Sequence, residues 1–162
     1  MKDLVSIITP LYNAEKYIGK TIESVLNQSY ENWEMLIVDD YSSDYGVKIV
    51  EKYQEYDDRI KLIKLKQNKG CAVARNTAIK IAKGRFIAFL DSDDLWHPDK
   101  LEKQINFMKE NNYAFTFTKY QQISEEGKLL NEFFPAKIKI NYEKALYTNY
   151  IGCLTVVYDT EE

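Results

Sequence analysis

The stretch FIAFLDSDDLW, residues 86–96, combines a buried strand pattern with a cluster of acids. Its first five residues, FIAFL, are typical of a strand that is buried in a sheet. Three acidic residues, Asp91, Asp93 and Asp94, then follow within four positions. Because neighbouring carboxylates repel each other, this pattern predicts a cation where the strand ends. The alternative is a solvated acidic turn that caps the following helix.

The sequence on both sides of this stretch alternates between strand and helix patterns. Strands are predicted at residues 4–9, 33–38, 60–65 and 85–90, and helices at residues 14–28, 44–56, 71–82 and 98–110. Four strand–helix units in a row predict an α/β fold with a mostly parallel central sheet flanked by helices. Residues 113–120 and 151–158 are predicted to form further strands, residues 125–127 a turn, and residues 137–150 give no pattern.

Parallel sheets bind ligands beyond the carboxyl ends of their strands, and the polar clusters of this chain fall at those ends. The first strand is followed by Tyr12, the second ends in Asp39 and Asp40, and Gly70 follows the third. Carboxylate oxygens suit Mg²⁺ or Mn²⁺, and Mg²⁺ is usually held by one or two carboxylates together with phosphates of the substrate. Arg75 could bind a diphosphate as a fork, although an ion pair with a neighbouring acid is an equal alternative.

The composition of the chain limits the classes of function that it can have. The chain has 162 residues, 45% of them hydrophobic, which is enough for one domain with a core. A net charge of -3 argues against nucleic acid as a partner. The two cysteines, Cys71 and Cys153, are predicted to be free thiols, and with a single histidine they do not indicate zinc. Neither a signal peptide nor a transmembrane segment is found, so a cytoplasmic protein is expected.

Three stretches carry a resemblance to a known family: VSIITPLYNAEKYIGKTIESVLNQSY (residues 5–30), WEMLIVDDYSSD (residues 33–44) and NKGCAVARNTAIKIAKGRFIAFLDSDDLWHPDKL (residues 68–101). In this order and spacing they resemble the nucleotide-binding half of the family-2 inverting glycosyltransferases, which have the GT-A fold. The resemblance implies that Pro10 and Tyr12 line the nucleotide base. It also implies that Glu15 contacts the nucleoside side of the pocket, that Asp40 hydrogen-bonds the base and that Asp39 supports the pocket or the ribose.

The remaining donor-site residues implied by the resemblance lie near the diphosphate, the sugar and the metal. They are Gly70, Arg75, Asp91, Ser92, Asp93 and Asp94. Asp93 is implied to be the main protein ligand of Mg²⁺ or Mn²⁺, Asp91 to help hold ribose and metal, and Asp94 to bind the donor sugar.

The resemblance further implies a donor-binding region at residues 1–112 and the start of an acceptor-binding region of the same domain at residues 113–162. The family's catalytic base is an acid, typically in an E-D pair, after the strand that IGCLTVVYD (residues 151–159) resembles. Neither Asp159 nor Glu161 is interpreted as that base, because both come too early and fit a solvated terminus. The chain is therefore expected to be truncated, with an incomplete acceptor half and its base beyond the last residue.

The expected function is inverting transfer of a sugar from a UDP-sugar to a saccharide or lipid-linked acceptor, in cell-surface polysaccharide or glycolipid synthesis. Such work would place the protein peripherally at the inner face of the membrane. The alternative is a module that binds the nucleotide sugar without transferring it. A nucleotidyltransferase that forms sugar nucleotides fits less well, because it would need a glycine-rich loop after strand one, where the first glycine is Gly19. A dinucleotide dehydrogenase also fits less well, because no strand is followed by G-x-G-x-x-G.

Overall fold

The computed structural model describes residues 3–130, 133, 143 and 151–161. Within them the four predicted strand–helix units occur in the predicted order. The elements are β1 (Val5–Leu11), α1 (Ile18–Leu26), β2 (Trp33–Asp39), α2 (Gly46–Tyr56), β3 (Ile60–Lys64), α3 (Cys71–Ile81), β4 (Phe86–Phe89), α4 (Lys100–Asn111), β5 (Phe115–Thr116), a 3₁₀ turn (Cys153–Thr155) and β6 (Val157–Asp159).

These strands form one sheet in the order β3-β2-β1-β4-β6-β5. The first four strands are parallel, as predicted, whereas β6 runs antiparallel to β4 and β5 runs antiparallel to β6. The carboxyl ends of β1 to β4 therefore share one edge of the sheet. The carboxyl end of β6 lies at the opposite edge, because Asp159 pairs with Phe86 at the start of β4.

Alternate side chains of the strands pack on the two faces of the sheet, since successive residues of a strand point in opposite directions. In β1, Ile7 belongs to the larger apolar cluster, which includes buried residues of α1, α2 and α4. Its neighbour Ile8 belongs to the second cluster, together with Ala74 and Ala78 of α3. The sheet is thus covered by helices on both faces, which explains why its central strands read as continuous apolar runs.

Three predicted elements differ from the structure. Residues 113–120 were expected to form a strand, but only Phe115–Thr116 do so, because β5 is an edge strand that pairs with β6 alone. In the predicted strand at residues 151–158, residues 151–152 are irregular and Cys153–Thr155 form a 3₁₀ turn, so that only the part from Val157 onward is strand. Helix α1 begins at Ile18 instead of residue 14. The turn at residues 125–127 is confirmed, with Gly127 at a φ of 81°, and residues 137–150 lie, apart from Glu143, outside the described residues.

No helix in the described part of the chain is both long enough and apolar enough to cross a membrane.

Candidate functional site

The predicted site residues lie around the carboxyl edge of the parallel strands. The register aligns Leu11 with Asp39 and Asp39 with Lys64, so the loops after β1, β2 and β3 leave the sheet side by side. β4 ends on the other side of β1, where Ile8 pairs with Phe89. The topology therefore brings together four loops that are far apart in the sequence, as the strand-end rule predicts.

The loops after β1 and β2 are tied together by reciprocal hydrogen bonds. The backbone N–H of Asn13 donates to Ser42 Oγ (3.0 Å), and the side-chain oxygen of Asn13 accepts from the Ser43 N–H (2.9 Å). Glu15 Oε2 accepts from the Tyr45 N–H at 2.8 Å. One carboxylate oxygen of Glu15 is thus engaged in holding the loops. Its contact with a nucleoside stays a prediction.

Asp39 and Asp40 are both buried at the end of β2, with exposed fractions of 4% and 3%. Asp39 accepts the Ser42 N–H at 3.1 Å, which closes a local turn. The two carboxylate oxygens of Asp40 accept the N–H groups of Lys69 and Gly70, both at 2.7 Å. Asp40 therefore fixes the loop between β3 and α3, a role that the sequence did not indicate. Its predicted hydrogen bond to a nucleotide base would use the remaining lone pairs.

Gly70 is the residue that directly precedes α3, and its backbone has a φ of 85° and a ψ of 157°. This backbone conformation is nearly restricted to glycine. Apart from its chain neighbours, no atom of the described residues lies within 4 Å of the position that a Cβ would occupy, so the conformation requires glycine here. The space beside Gly70 is open at the edge where the other strand-end loops meet.

Arg75, one turn into α3, makes the ion pair that the sequence offered as its alternative role. Its Nη2 donates to Asp91 Oδ1 at 2.5 Å, and its Nη1 donates to Cys71 Sγ at 3.7 Å. Burial lowers the pKa of Arg75, but the hydrogen bond and charge of Asp91 outweigh it and raise the pKa. Nε is buried and has no hydrogen-bond partner among the described residues. The structure thus brings Arg75 and Asp91 together, and their roles toward a donor stay predictions.

The acidic turn after β4 is anchored to α1 and concentrates negative charge. The Asp94 N–H donates to the carbonyl of Asp91 at 3.1 Å, and Thr21 Oγ1 donates to the carbonyl of Ser92 at 2.9 Å. Burial, with the charges of Asp93 and Asp91, raises the pKa of Asp94 to about 6. A cation at this turn would relieve the repulsion, since hard oxygen ligands fit Mg²⁺ or Mn²⁺.

The protein does not supply a complete metal cage in the part that the structure describes. No group of three His, Cys, Asp or Glu side chains converges there on one possible ion position. Two carboxylates, Asp91 and Asp93, still fit the way Mg²⁺ is bound when substrate phosphates complete its shell. Asp93 is exposed and lines a cavity of about 210 Å³ beside Tyr17 and Lys20.

The two residues predicted to line a base differ in exposure. Pro10 is buried within β1, whereas the ring of Tyr12 is 53% exposed at the mouth of the site. The neighbouring Thr9 hydroxyl is buried without a hydrogen-bond partner among the described residues. Tyr12 is therefore free to pack on a planar ligand, while Pro10 can only present its edge from the strand.

Two parts of the site were missed by the sequence. Burial, with the charge of Asp91, raises the pKa of the Cys153 thiol, which places Cys153 close to Arg75 and Asp91. No spacing signal links Cys153 to α3, because the contact depends on how residues 151–159 return to β4. The other missed group is Lys100 with Gln104, which have buried polar atoms without partners in the described residues.

The acids near the end of the chain lie at the opposite edge of the sheet. Asp159 Oδ2 accepts from Arg85 Nη2 at 2.7 Å, and Glu161 lies 3.3 Å from Arg85 Nε. Asp159 is only 8% exposed, so the expectation of a solvated terminus is wrong for this residue. Asp159 pairs with Phe86 at the start of β4, away from the acidic turn.

Comparison with known sequences identifies close relatives. The profile of Glycosyl transferase family 2 matches residues 6–157. The putative teichuronic acid biosynthesis glycosyltransferase TuaG of Bacillus subtilis is 50% identical over 161 residues, which are 99% of this chain and 64% of TuaG. WfgD of Escherichia coli, a UDP-Glc:alpha-D-GlcNAc-diphosphoundecaprenol beta-1,3-glucosyltransferase, is 51% identical over 156 residues, 96% of this chain and 60% of WfgD. The chain thus spans between 60% and 64% of the length of these two relatives.

Comparison with solved structures finds chains that superpose on almost the whole of this chain. The crystal structure of S. aureus TarS 1–349 in complex with UDP superposes with a TM-score of 0.78 at 30% identity, over 99% of this chain and 47% of TarS 1–349. The complex of the same TarS fragment with UDP-GlcNAc gives a TM-score of 0.76 at 28% identity, over 98% of this chain and 46% of TarS 1–349. The predicted GT-A fold is confirmed.

Proposed function

The chain belongs to glycosyl transferase family 2, and on this premise we propose that it transfers a sugar from a UDP-sugar to an acceptor hydroxyl. One observation carries the proposal: Asp91, Asp93 and Asp94 share one turn at the strand-end edge, within electrostatic range of each other and beside Arg75. Such a turn suits a ligand that brings both a cation and a diphosphate.

UDP is the nucleotide we favour, because TarS is known in complex with UDP and with UDP-GlcNAc and WfgD is named for UDP-Glc. The exposed ring of Tyr12 would pack on the uracil, with Pro10, Glu15, Asp39 and Asp40 around the nucleoside. The order imposed on the loops by Asp40 supports this pocket, since a prearranged site loses less entropy on binding.

The diphosphate side would be formed by Gly70, Arg75 and the acidic turn. Arg75 Nε is buried and has no partner in the described part of the chain, which supports a donor role toward a phosphate oxygen, because a buried donor without a partner costs free energy. Asp91 and Asp93 would hold Mg²⁺ or Mn²⁺, which when bound neutralises the charge of the departing diphosphate. Asp94 would accept hydrogen bonds from hydroxyl groups of the donor sugar, and Ser92 holds the turn through its carbonyl.

Transfer with inversion requires the acceptor hydroxyl to attack the anomeric carbon from the face opposite UDP. The new bond joins the acceptor oxygen to that carbon, the bond to the diphosphate oxygen breaks, and the hydroxyl proton goes to a base. We assign no base among the described residues, because Asp159 and Glu161 contact Arg85 at the other edge of the sheet. The second candidate is a chain that binds the donor without transferring the sugar.

The acceptor we propose is a saccharide, free or linked to a lipid, in cell-surface polysaccharide synthesis. TuaG is named for teichuronic acid biosynthesis and WfgD for a diphosphoundecaprenol-linked acceptor. Residues 1–112 would form the donor region and residues 113–162 the start of the acceptor region. Both cysteines are free thiols, which supports a reducing compartment, and a lipid-linked acceptor would bring the protein to the inner face of the membrane.

Calorimetric titration of UDP, with and without Mn²⁺ and with GDP for comparison, tests the donor site. We expect UDP to bind more tightly than GDP, Mn²⁺ to be required, and Asp93→Ala to abolish the effect of Mn²⁺. Asp58→Ala, which removes an exposed acid remote from the strand-end edge, is the matched control and should bind as the wild type does. Binding that is indifferent to Mn²⁺ and to Asp93 would contradict the metal assignment, and product formation with an acceptor would rule out the second candidate.

A further inference from the structure

A cavity of about 570 Å³ lies on the α4 side of the acidic turn. Its size falls in the range of small-molecule sites, roughly 300–1,000 Å³. Most of its wall is apolar, including Trp96, Phe107, Phe117, Ile123, Leu129 and Leu154. None of the donor-site assignments above uses this cavity except Asp94, which lies at one end of it.

The cavity wall contains two polar side chains whose buried atoms lack partners. Lys100 Nζ lies 3.8 Å from the centroid of the Trp96 ring and has no acceptor among the described residues. Gln104, one turn further along α4, uses its Nε2 to donate to Thr116 and Thr155, but its Oε1 is unpaired there as well. Lys100 is 9% exposed and Gln104 is 4% exposed, so bulk water does not satisfy either group.

The other charged residues around the cavity are Asp94, which belongs to the acidic turn, and residues with contacts elsewhere in the protein. Asp99 is paired with both Lys103 and His97, and Lys119 lies 5.2 Å from the Phe133 ring centroid. Burial alone lowers the pKa of Lys100 to about 7. Among the described residues Lys100 therefore lacks an anionic partner, and a buried ammonium without an acceptor is costly. The surrounding apolar surface gives a water molecule few partners.

The cavity lies next to the smaller cavity at the acidic turn. Leu95 and Ile123 form part of its wall and also line the smaller cavity at Asp93. A molecule held between α4 and residues 117–129 would thus have one end beside the acidic turn. This is the position that an acceptor's non-reacting part needs if its hydroxyl is to reach the donor sugar.

We propose that this cavity binds a single-chain apolar molecule that carries a phosphate group, with the chain along the apolar wall and the phosphate at Lys100. Lysine binds phosphate as a point charge, and the apolar wall matches an alkyl or polyprenyl chain. As the anchor of a lipid-linked acceptor, the site would rest on the proposed function, whereas binding of the amphiphile itself does not.

The test uses dodecyl phosphate with a bromine on the second carbon, close to the phosphate, because Lys100 Nζ lies 3.8 Å from the Trp96 ring. Below its micellar concentration, it is followed by quenching of tryptophan fluorescence, to which Trp96 contributes from the cavity wall. Dodecanol with a bromine on the same carbon is the comparison for the head group, and inorganic phosphate is added as a competitor. We expect saturable quenching, with dodecyl phosphate binding at least about tenfold more tightly than dodecanol, because a charge-assisted hydrogen bond contributes that much. Saturable binding of dodecanol with equal affinity would overturn the assignment of Lys100.

Matched variants separate the two halves of the site. Lys100→Met should weaken binding of dodecyl phosphate about tenfold and leave dodecanol unchanged, whereas Lys80→Met, at an exposed position of α3, should change neither. Leu129→Asn should weaken both ligands, and Leu130→Asn should weaken neither. Leu129 and Leu130 are both exposed, at 67% and 57%, but only Leu129 lines the cavity.

The outcome is independent of donor binding. If none of the amphiphiles quenches saturably while UDP still binds with Mn²⁺, the cavity proposal fails and the proposed donor site stands. If dodecyl phosphate binds through Lys100 but UDP does not bind, the cavity is an amphiphile site and the proposed function fails. Equal effects of Lys100→Met and Lys80→Met would overturn the cavity proposal.

Discussion

Asp40 shows how one residue can order a site before a ligand binds. Its carboxylate joins β2 to the loop before α3 through two backbone N–H groups at 2.7 Å, and the carboxylate is almost fully buried. Hydrogen bonds to a charged acceptor are about twice as strong as neutral ones. The glycine conformation at Gly70 is therefore held by its own chain before any nucleotide arrives.

The burial of the Lys100 side chain predicts how the free energy of unfolding depends on pH. Its folded-state pKa of about 7 lies below that of an unfolded lysine, about 10.4. Between these values the unfolded state binds more protons, so the free energy of unfolding should rise with pH. Relative to Lys100→Met, the wild type should gain about 2 kcal/mol between pH 7 and pH 9. Urea unfolding of both proteins at several pH values measures this gain.

The Trp96 ring and a control variant, Lys80→Met, bear on the interpretation of this measurement. The Trp96 ring favours the charged amine and makes the gain smaller, because cation–π attraction opposes the effect of burial. Lys80→Met controls for general charge effects, since Lys80 is exposed. A wild type that tracks Lys100→Met in parallel from pH 7 to pH 9 would show that Lys100 is solvated in the folded protein.

Gly84 lies between α3 and β4 and allows the chain there to pass close to the backbone of β1. A Cβ at this position would lie 2.6 Å from Ser6 N and 2.8 Å from Leu4 O, both backbone atoms of β1 or of the residue before it. The Gly84 N–H also donates to Ser6 Oγ, which in turn donates to the buried carboxylate of Glu34. Gly84→Ala should destabilise the protein by about 3 kcal/mol, because backbone atoms must move to admit the methyl group. Chemical denaturation provides the value.

Gly19 is the matched control for Gly84. It lies inside α1, where a Cβ would be 3.7 Å from the nearest atom, Tyr53 Oη, which is an ordinary contact. Gly19→Ala should stabilise the protein by about 0.5–1 kcal/mol through helix propensity. If both substitutions changed the free energy of unfolding by the same amount, the close approach of Gly84 to β1 would not be limiting.

The central elements could be predicted from the sequence, and the edge elements could not. β1 and β2 are buried on both faces, so their apolar runs read directly as strands. β5 has only β6 beside it, and the two residues that pair there are part of an eight-residue pattern of strand-forming residues. The pattern reports propensity, whereas the length of an edge strand depends on a partner that comes from much later in the chain.

The candidate site divides in the same way when the whole molecule is considered. The strand-end rule placed Tyr12, Asp40, Gly70 and Asp91 at one edge, because that placement follows from topology alone. The hydrogen bonds among the loops could not be predicted, since each depends on a side-chain direction. The cavity at Lys100 was also missed, because it requires α4 and residues 117–129 to be positioned against each other.

Arg85 contacts residues near both ends of the described chain, and the stability of the whole molecule should therefore depend on it. It pairs with Asp159 in β6, lies 3.3 Å from Glu161 and lies 3.9 Å from Asp3, which also binds Lys109 of α4. Arg85→Met would leave the buried Asp159 carboxylate without its partner. The midpoint temperature of unfolding at pH 7 should therefore fall by about 5 °C or more.

The pH dependence of this loss distinguishes the ion pair from packing. Hydrogen bonds from Arg85 hold the pKa of Asp159 below its usual range. The contribution of a lowered carboxyl pKa is complete above the unfolded value, about 3.9, and is lost as the pH falls through the folded value. The difference between wild type and Arg85→Met should thus be full at pH 7 and smaller near pH 3. Lys64→Met, which removes an exposed pair with Glu51, should change the midpoint little at either pH. A difference that stays constant from pH 7 to pH 3 would assign the loss to packing of the Arg85 side chain.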